Sequence, residues 1–319
     1  MRVCSRKRRA WRRGLLCPLA SGVEWLSAVS GGAALSTSSE ISTIVANALR
    51  EDIGGGDVTS TPIIPADTQL EGVFLVKATG IVAGLDVVAE VFRQVDNTIC
   101  FNPRAADGDA VQPGDIVATV SGCGPGILIA ERTALNLLQR MSGIATMAHR
   151  YQAAVAGTRA RILDTRKTAP GLRALDKLAV RLGGAYNHRV GLYDMVLIKD
   201  NHIEAAGSIS AAVARVRSAG INLPIEVEVT NLEQLAEALS LQIDRVMLDN
   251  MSLDQMRAAV ALTAGQVELE ASGGITFETV AQVAATGVDF ISVGALTHSV
   301  QALDVSLDII LRRPGKEAC

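Results

Sequence analysis

From Arg161 onward one pattern repeats: a short apolar run, an end carrying charge or glycine, then a stretch of helical spacing. The apolar runs are 161–163, 195–198, 225–229, 245–248, 267–269 and 290–293, and helical stretches such as 232–239, 253–262 and 277–285 lie between them. Strands that alternate with helices form a parallel sheet through right-handed crossovers, because parallel neighbours need a long return path. The six units predict an α/β fold with an incomplete β/α barrel, two units short of the usual eight.

The ends of these runs are specialised. In order they are "DTRK" at 164–167, "KDNH" at 199–202, Glu228, Asp249-Asn250, Ser272-Gly273-Gly274 and Val293-Gly294-Ala295. In a β/α barrel all such ends open at one mouth, where active sites are built. Ordinary loops need only be polar. Here every strand ends in charge, or in glycine where a backbone must come close to something.

The upstream part has a different texture. Residues 40–50 have helical spacing, and "GGGDVTS" follows as a glycine-rich stop. Between 70 and 120, short strands and turns bracket a helix at 86–95, and 127–156 reads as long helices. This predicts an N-terminal α/β sandwich domain over 40–143 and a barrel over 144–299, with a helix at 300–313 packing back on the sandwich. Residues 1–13 carry seven Lys/Arg and no acid. Residues 1–39 therefore read as a disordered tail or leader; the composition is also that of a transit peptide, so organelle targeting stays open beside a cytoplasmic location.

Composition excludes several classes. Only 3% of the chain is aromatic and the net charge is −3, which suits neither base stacking nor attraction to nucleic acid. No apolar run is long enough to span a membrane. The five cysteines are scattered with no CxxC pair, which fits a reducing compartment and no structural zinc.

Charge is sorted within the body of the chain. Between Arg161 and His202 lie eight Lys/Arg against four Asp, with His188 and His202. Lys177 and Arg181 are i,i+4 neighbours on the helix at 172–183 and read as solvated. Arg166, Lys167, Arg189 and Lys199 stand at or near strand ends, where arginine forks and lysine point charges suit an anion with several oxygens. Glu228 and Asp249 face that anion as ligands for Mg²⁺, direct or through water, or for ribose hydroxyls. Ser272, Gly273, Gly274 and Gly294 offer backbone N–H groups to a phosphate. A Schiff base at Lys199 is the rival chemistry. It needs a neutral amine, and Asp200, Glu228 and Asp249 favour the charged form. His149 and His298 read as packing or helix-end residues.

These residues resemble a known family. "EDIGGGDVTS", "ERTALNLLQRMSGIAT", "LDTRKTAPGLR", "GGAYNHRVGLYDMVLIKDNH", "IEVEV", "LDN", "SGGI" and "SVGALTHS" occur in the order and kind seen in quinolinate phosphoribosyltransferases. Before "ERT" the chain reads "CGPGILIA", where relatives often carry an arginine. The resemblance implies transfer of phosphoribosyl from phosphoribosyl pyrophosphate to quinolinate with decarboxylation, Mg²⁺ as cofactor, and a homodimer. Arg166, His188, Arg189 and Lys199 would hold the two carboxylates of quinolinate, with Arg132 reaching in from the partner subunit and Thr165 and Lys167 completing the cluster. Glu228 and Asp249 would take the ribose and Mg²⁺-pyrophosphate side. Ser272, Gly273, Gly274, Val293, Gly294 and Ala295 would surround the 5′-phosphate. The alternatives are a phosphoribosyltransferase acting on nicotinate or of the molybdate-operon type, the Lys199 aldolase, and a ligand sensor without turnover.

Overall fold

The structure, a computed structural model, describes residues 38–310, which fall within one compact unit. Residues 1–37 of the expected leader lie outside them. Helices α1 (Ser38–Ile53) and α2 (Ser60–Ile63) lead into β1 (Gln69–Val76), β2 (Gly80–Ile81), α3 (Leu85–Val95), β3 (Cys100–Pro103), β4 (Ala110–Val111) and β5 (Ile116–Cys123). The chain's last described strand, β12 (Val305–Ile310), returns to this region, and the antiparallel sheet has the order β12-β1-β5-β3. The helix expected at 300–313 is therefore corrected to a strand over the described part. Val305, Leu307 and Ile309 alternate with Ser306, Asp308 and Ile310, the period of a strand. Val76 pairs with Val305 and Glu71 with Ile310, so β1 supplies the ladder that fixes the choice.

Alternation in β1 buries Leu70, Phe74 and Val76. Phe74 meets Phe92 of α3 and Phe101 of β3 edge-on, with centroids 6.1 and 5.7 Å away, and Phe92 stacks on Phe101. Three of the chain's five phenylalanines thus form the centre of this half.

One helix joins the halves. Helix α4 (Gly124–Ala154) is 31 residues long, starts with a proline in its first turn, and replaces the several helices expected at 127–156. It runs unbroken through position 143/144, where the two expected domains were to divide. At Gly143 an added Cβ would lie 2.1 Å from the Gln301 carbonyl oxygen, so the absence of a side chain lets the returning chain cross α4.

The barrel half comprises β6 (Arg161–Leu163), α5 (Arg173–Leu182), β7 (Val196–Ile198), α6 (Asp200–Ala206), α7 (Ile209–Ser218), β8 (Ile225–Val229), α8 (Leu232–Leu239), β9 (Arg245–Asp249), α9 (Leu253–Thr263), β10 (Glu268–Ser272), α10 (Val280–Ala284), β11 (Phe290–Ser292) and α11 (Ala295–His298). The six strands pair in parallel in the order β6-β11-β10-β9-β8-β7. Strands β6 and β7 are the two edges. Between them, Tyr186 makes a single parallel bridge to Leu163, so residues 184–195 stand where a further strand would close the barrel.

Strand alternation sorts the barrel's two faces. Val227, Val229, Val246, Leu248, Leu269 and Ala271 are buried apolar residues at one set of positions. Glu226, Glu228, Arg245, Asp249, Glu268, Glu270 and Ser272 occupy the other set together with Leu197, Met247 and Phe290, and register places Glu226 and Glu268 on either side of Arg245, and Ser272 beside Asp249. A typical barrel interior is filled by branched apolar residues. This one is charged.

Candidate active site

The parallel register carries the specialised strand ends to one edge of the sheet, as the sequence pattern implies. Thr165, Arg166 and Lys167 follow β6 and Lys199 follows β7. Glu228 lies in the last turn-out of β8, Asp249 ends β9, Ser272 ends β10, and Val293, Gly294 and Ala295 follow β11.

Arg166 and Arg189 form the cationic side. Arg189 is buried, and its Nη1 donates to the Met195 carbonyl at 3.2 Å. Burial, followed by the charge of Arg166, pushes the Arg189 guanidinium below its ordinary value. The Arg166 Nε is itself buried with no hydrogen-bond partner. A buried guanidinium beside a half-buried one with an unpartnered Nε suits an anion with several oxygens. Lys199 is ion-paired with Glu228, so the lysine and carboxylate assigned to opposite substrates touch each other.

His188 is turned elsewhere. Its Nδ1 accepts the Arg189 N–H at 2.7 Å, and its Nε2 lies 3.0 Å from Glu226 and 3.4 Å from Glu270, off the line of a hydrogen bond to either. Burial opposes protonation of His188, but the Glu270 and Glu226 carboxylates outweigh it and raise its proton affinity. Arg245, 3.3 Å from Glu270, adds a further positive charge, and its guanidinium also lies over the Phe290 ring. Among the described residues this is the cluster whose spacing suits a metal, yet Arg245 already offsets its acids and burial pushes the Glu226 carboxyl up. The structure thus seats the expected substrate-binding imidazole on the barrel's internal carboxylates.

The helix face read as solvated divides. Arg181 is exposed, but Lys177 is 1% exposed and pairs with Asp164 at 2.6 Å. The neighbouring Asp176 is also buried, held by both nitrogens of an Arg140 fork at 2.8 Å and by the Ala169 N–H. Helix α5 therefore packs two adjacent ionic side chains inward, one toward α4 and one toward β6. The i,i+4 spacing could not reveal this, because the partners come from other elements.

The glycine turns expected to face a phosphate are built from close backbone approaches. Gly273 and Gly274 have φ of +92° and +59°, the left-handed region that turns main-chain N–H groups outward. A Cβ on Gly273 would lie 2.2 Å from Asn250 Oδ1. Asn250 in turn donates to Asp249 Oδ2 at 2.7 Å, so the glycine makes room for the residue that aims the carboxylate. A Cβ on Gly294 would sit 3.1 Å from the Lys167 side chain and 3.0 Å from the His298 ring. Lys167 lies across Gly294, its N–H donates to Thr165 Oγ1, and its carbonyl accepts from Thr297 Oγ1. His298 thus borders the phosphate glycines instead of only ending a helix. Val293 is buried beneath this turn, with Ala295 beginning α11.

Arg132 stands apart from these groups. It is exposed on α4, with Glu131 at 3.8 Å.

Sequence comparison gives this geometry a family. Residues 57–142 match the N-terminal domain, and residues 144–308 the C-terminal domain, of quinolinate phosphoribosyl transferase. The chain belongs to the quinolinate phosphoribosyltransferase family. A probable nicotinate-nucleotide pyrophosphorylase (carboxylating) of Bacillus subtilis is 44% identical over 270 residues, covering 84% of this chain and 93% of that protein. The nicotinate-nucleotide pyrophosphorylase (carboxylating) of Mycobacterium leprae is 46% identical over 271 residues, 83% and 95% of the two chains. The solved nicotinate-nucleotide pyrophosphorylase of Francisella tularensis superposes with a TM-score of 0.81 at 38% identity, covering 86% of this chain and 98% of that one. Among the described residues, no helix is long and apolar enough to cross a membrane.

The sequence missed Asp164, Asn187, Glu226, Glu270 and Asn250 as shaping residues. A signal existed for two of them. In "IEVEV" and "ELEAS" the acids recur every second residue within buried strands, so they share the face opposite the apolar one.

Proposed function

We propose that this member of the quinolinate phosphoribosyltransferase family transfers phosphoribosyl from phosphoribosyl pyrophosphate to quinolinate with loss of CO2, giving nicotinate mononucleotide and pyrophosphate for de novo NAD synthesis. The observation that carries the reading is the buried Arg189 beside the half-buried Arg166, whose Nε has no hydrogen-bond partner. A single carboxylate leaves one of two adjacent guanidiniums unmatched, whereas the 2- and 3-carboxylates of quinolinate match both. The Lys199 amine is engaged by Glu228 instead of standing free to attack a carbonyl, which argues against Schiff-base chemistry.

The pyridine nitrogen attacks C1 of the ribose with its lone pair as the C1–O bond to pyrophosphate breaks. No general base is needed. The protein's part is positioning and electrostatic stabilisation. Arg166 and Arg189 hold the ring in place, Lys199 adds a cation at its edge, and Glu228 and Asp249 face the ribose as positive charge develops. The pyridinium nitrogen then draws the electrons released at C2 when the C2–carboxylate bond breaks, and C2 takes a proton from solvent.

Mg²⁺ suits the oxygen donors of Glu228 and Asp249 and, when bound, offsets the charge of the departing pyrophosphate. Among the described residues no third His, Cys, Asp or Glu joins these two at ligand spacing. That supports an ion held largely by the substrate's phosphates, the usual habit of Mg²⁺. The enzyme acts as a homodimer in this reading, with Arg132, exposed on α4, reaching the partner's mouth. Cys100 and Cys123 are free thiols, which supports a reducing, cytoplasmic setting.

The test is turnover with quinolinate labelled in its C2 carboxylate, phosphoribosyl pyrophosphate and Mg²⁺. Labelled CO2 and nicotinate mononucleotide are expected in equal amounts, with nicotinate failing as a substitute. No CO2 release, or equal turnover of nicotinate, overturns the reading.

A further inference from the structure

The segment carrying His188 and Arg189 is tied to the barrel by very little main-chain pairing. Tyr186 N–H donates to the Ile162 carbonyl at 2.9 Å, and Asp164 N–H to the Tyr186 carbonyl at 3.0 Å. There the ladder ends. Two residues on, His188 N–H donates to the side chain of Asp164, with Oδ1 at 2.8 Å. The carboxylate does the work of a main-chain acceptor and extends the bridge by one bond.

Two further groups complete this arrangement. Asn187 Nδ2 donates to Asp164 Oδ2 at 2.7 Å and to the Lys177 carbonyl at 2.9 Å. Lys177 Nζ, from α5, donates to Asp164 Oδ1 at 2.6 Å and to the His188 carbonyl at 3.0 Å. The network thus grips both main-chain polar groups of His188. Asp164 and Lys177 are 0% and 1% exposed. Burial pushes the Asp164 carboxyl up and the Lys177 ammonium down, and the charge of each partner opposes the other's shift.

An ion pair this deep is a poor source of stability, since well-packed apolar residues commonly do as well. Its placement supplies the reason. Asp164 precedes Arg166 by two residues and His188 precedes Arg189 by one, so the network joins the two short segments that carry the guanidiniums. We infer that Asp164, Lys177 and Asn187 are positioning residues that set the separation of Arg166 and Arg189, matching the pair to two adjacent carboxylates on one pyridine ring. The inference rests on the function proposed above for the same site.

Three variants test it, each compared per folded molecule after thermal melting. Asn187→Ala keeps the buried ion pair and removes one clamp. Lys177→Met strands the Asp164 carboxylate. Lys177→Met with Asp164→Asn removes both charges and guards against loss of fold in the single variant. Two readouts are needed: the KM values for quinolinate and phosphoribosyl pyrophosphate, and amide hydrogen exchange at 187–190.

Asn187→Ala is expected to raise the quinolinate KM by about threefold to tenfold, as for loss of a net hydrogen bond, with the other KM within about twofold. Exchange at 187–190 accelerates while β8, β9 and β10 stay protected. The double variant recovers thermal stability relative to Lys177→Met but keeps the raised quinolinate KM. Unchanged quinolinate KM and unchanged exchange in Asn187→Ala overturn the inference. So does a double variant that restores KM along with stability. If the wild-type protein does not turn over quinolinate, the proposed function fails first, and the exchange readout still decides whether these three residues hold the segment.

Discussion

The antiparallel sheet buries Leu70, Phe74 and Val76 against α3 and its neighbours, whereas the barrel strands bury Glu226, Arg245 and Glu270. Both sheets alternate with period two, yet among the described residues the buried charged strand residues lie in the barrel half. The barrel's share of the common hydrophobic core comes from the other face, where Val227, Val246, Leu248 and Leu269 join it. That leaves the barrel interior free to carry charge. Buried charge stabilises weakly, so the difference separates a half that supplies fold stability from a half that supplies chemistry.

Three substitutions probe this division, from the largest effect to the smallest. Phe92→Ala removes the ring that stacks on Phe101 and meets Phe74. It should cost about 3–5 kcal/mol in denaturant unfolding while kcat/KM per folded molecule stays near wild type. A parallel loss of activity at full folding would blur the comparison. Arg166→Ala should do the reverse. Loss of charge-assisted hydrogen bonds predicts a fall in kcat/KM for quinolinate of tenfold to a hundredfold in order of magnitude, with little change in melting temperature. Steady-state kinetics beside a melt checks both halves of that expectation.

Gly273→Ala lies between the two behaviours. Its φ of +92° and the 2.2 Å approach to Asn250 Oδ1 predict a stability loss of about 1–3 kcal/mol from backbone strain. Displacing Asn250 also disturbs Asp249, so the KM for phosphoribosyl pyrophosphate should rise more than that for quinolinate. An equal rise in both would mean that the two substrate sides are not separate.

How much of this was legible depends on where each residue's partners lie. Helix α8 falls at 232–239 and β6 at 161–163, as local spacing and turn residues imply. Strand ends at 164, 199, 249 and 272 were legible for the same reason: the charge or glycine follows directly on the apolar run. Lys177 was placed on the right helix but on the wrong face. Its spacing from Arg181 is compatible with solvent, and only Asp164 and the His188 carbonyl, reached through tertiary contact, give a buried ammonium its partners. His188 was found as a site residue, but its ring direction depends on Glu226 and Glu270, which come from two other strands.

Strand β12 shows the same limit in the backbone. Val305, Leu307 and Ile309 carry a strand's alternation in a run of six residues, too short to separate from a helix on its own. Pairing with β1, far upstream, decides it. The sequence by itself determined the repeating βα order and the family, and it singled out Arg166, Arg189 and Lys199 as candidate cations, because these readings depend on neighbours along the chain. Only the tertiary structure decided which ionic groups are buried, which of them touch, and that Asp164 stands in for a missing strand at His188. Desolvation and pairing of charge depend on groups that folding brings together from distant parts of the chain.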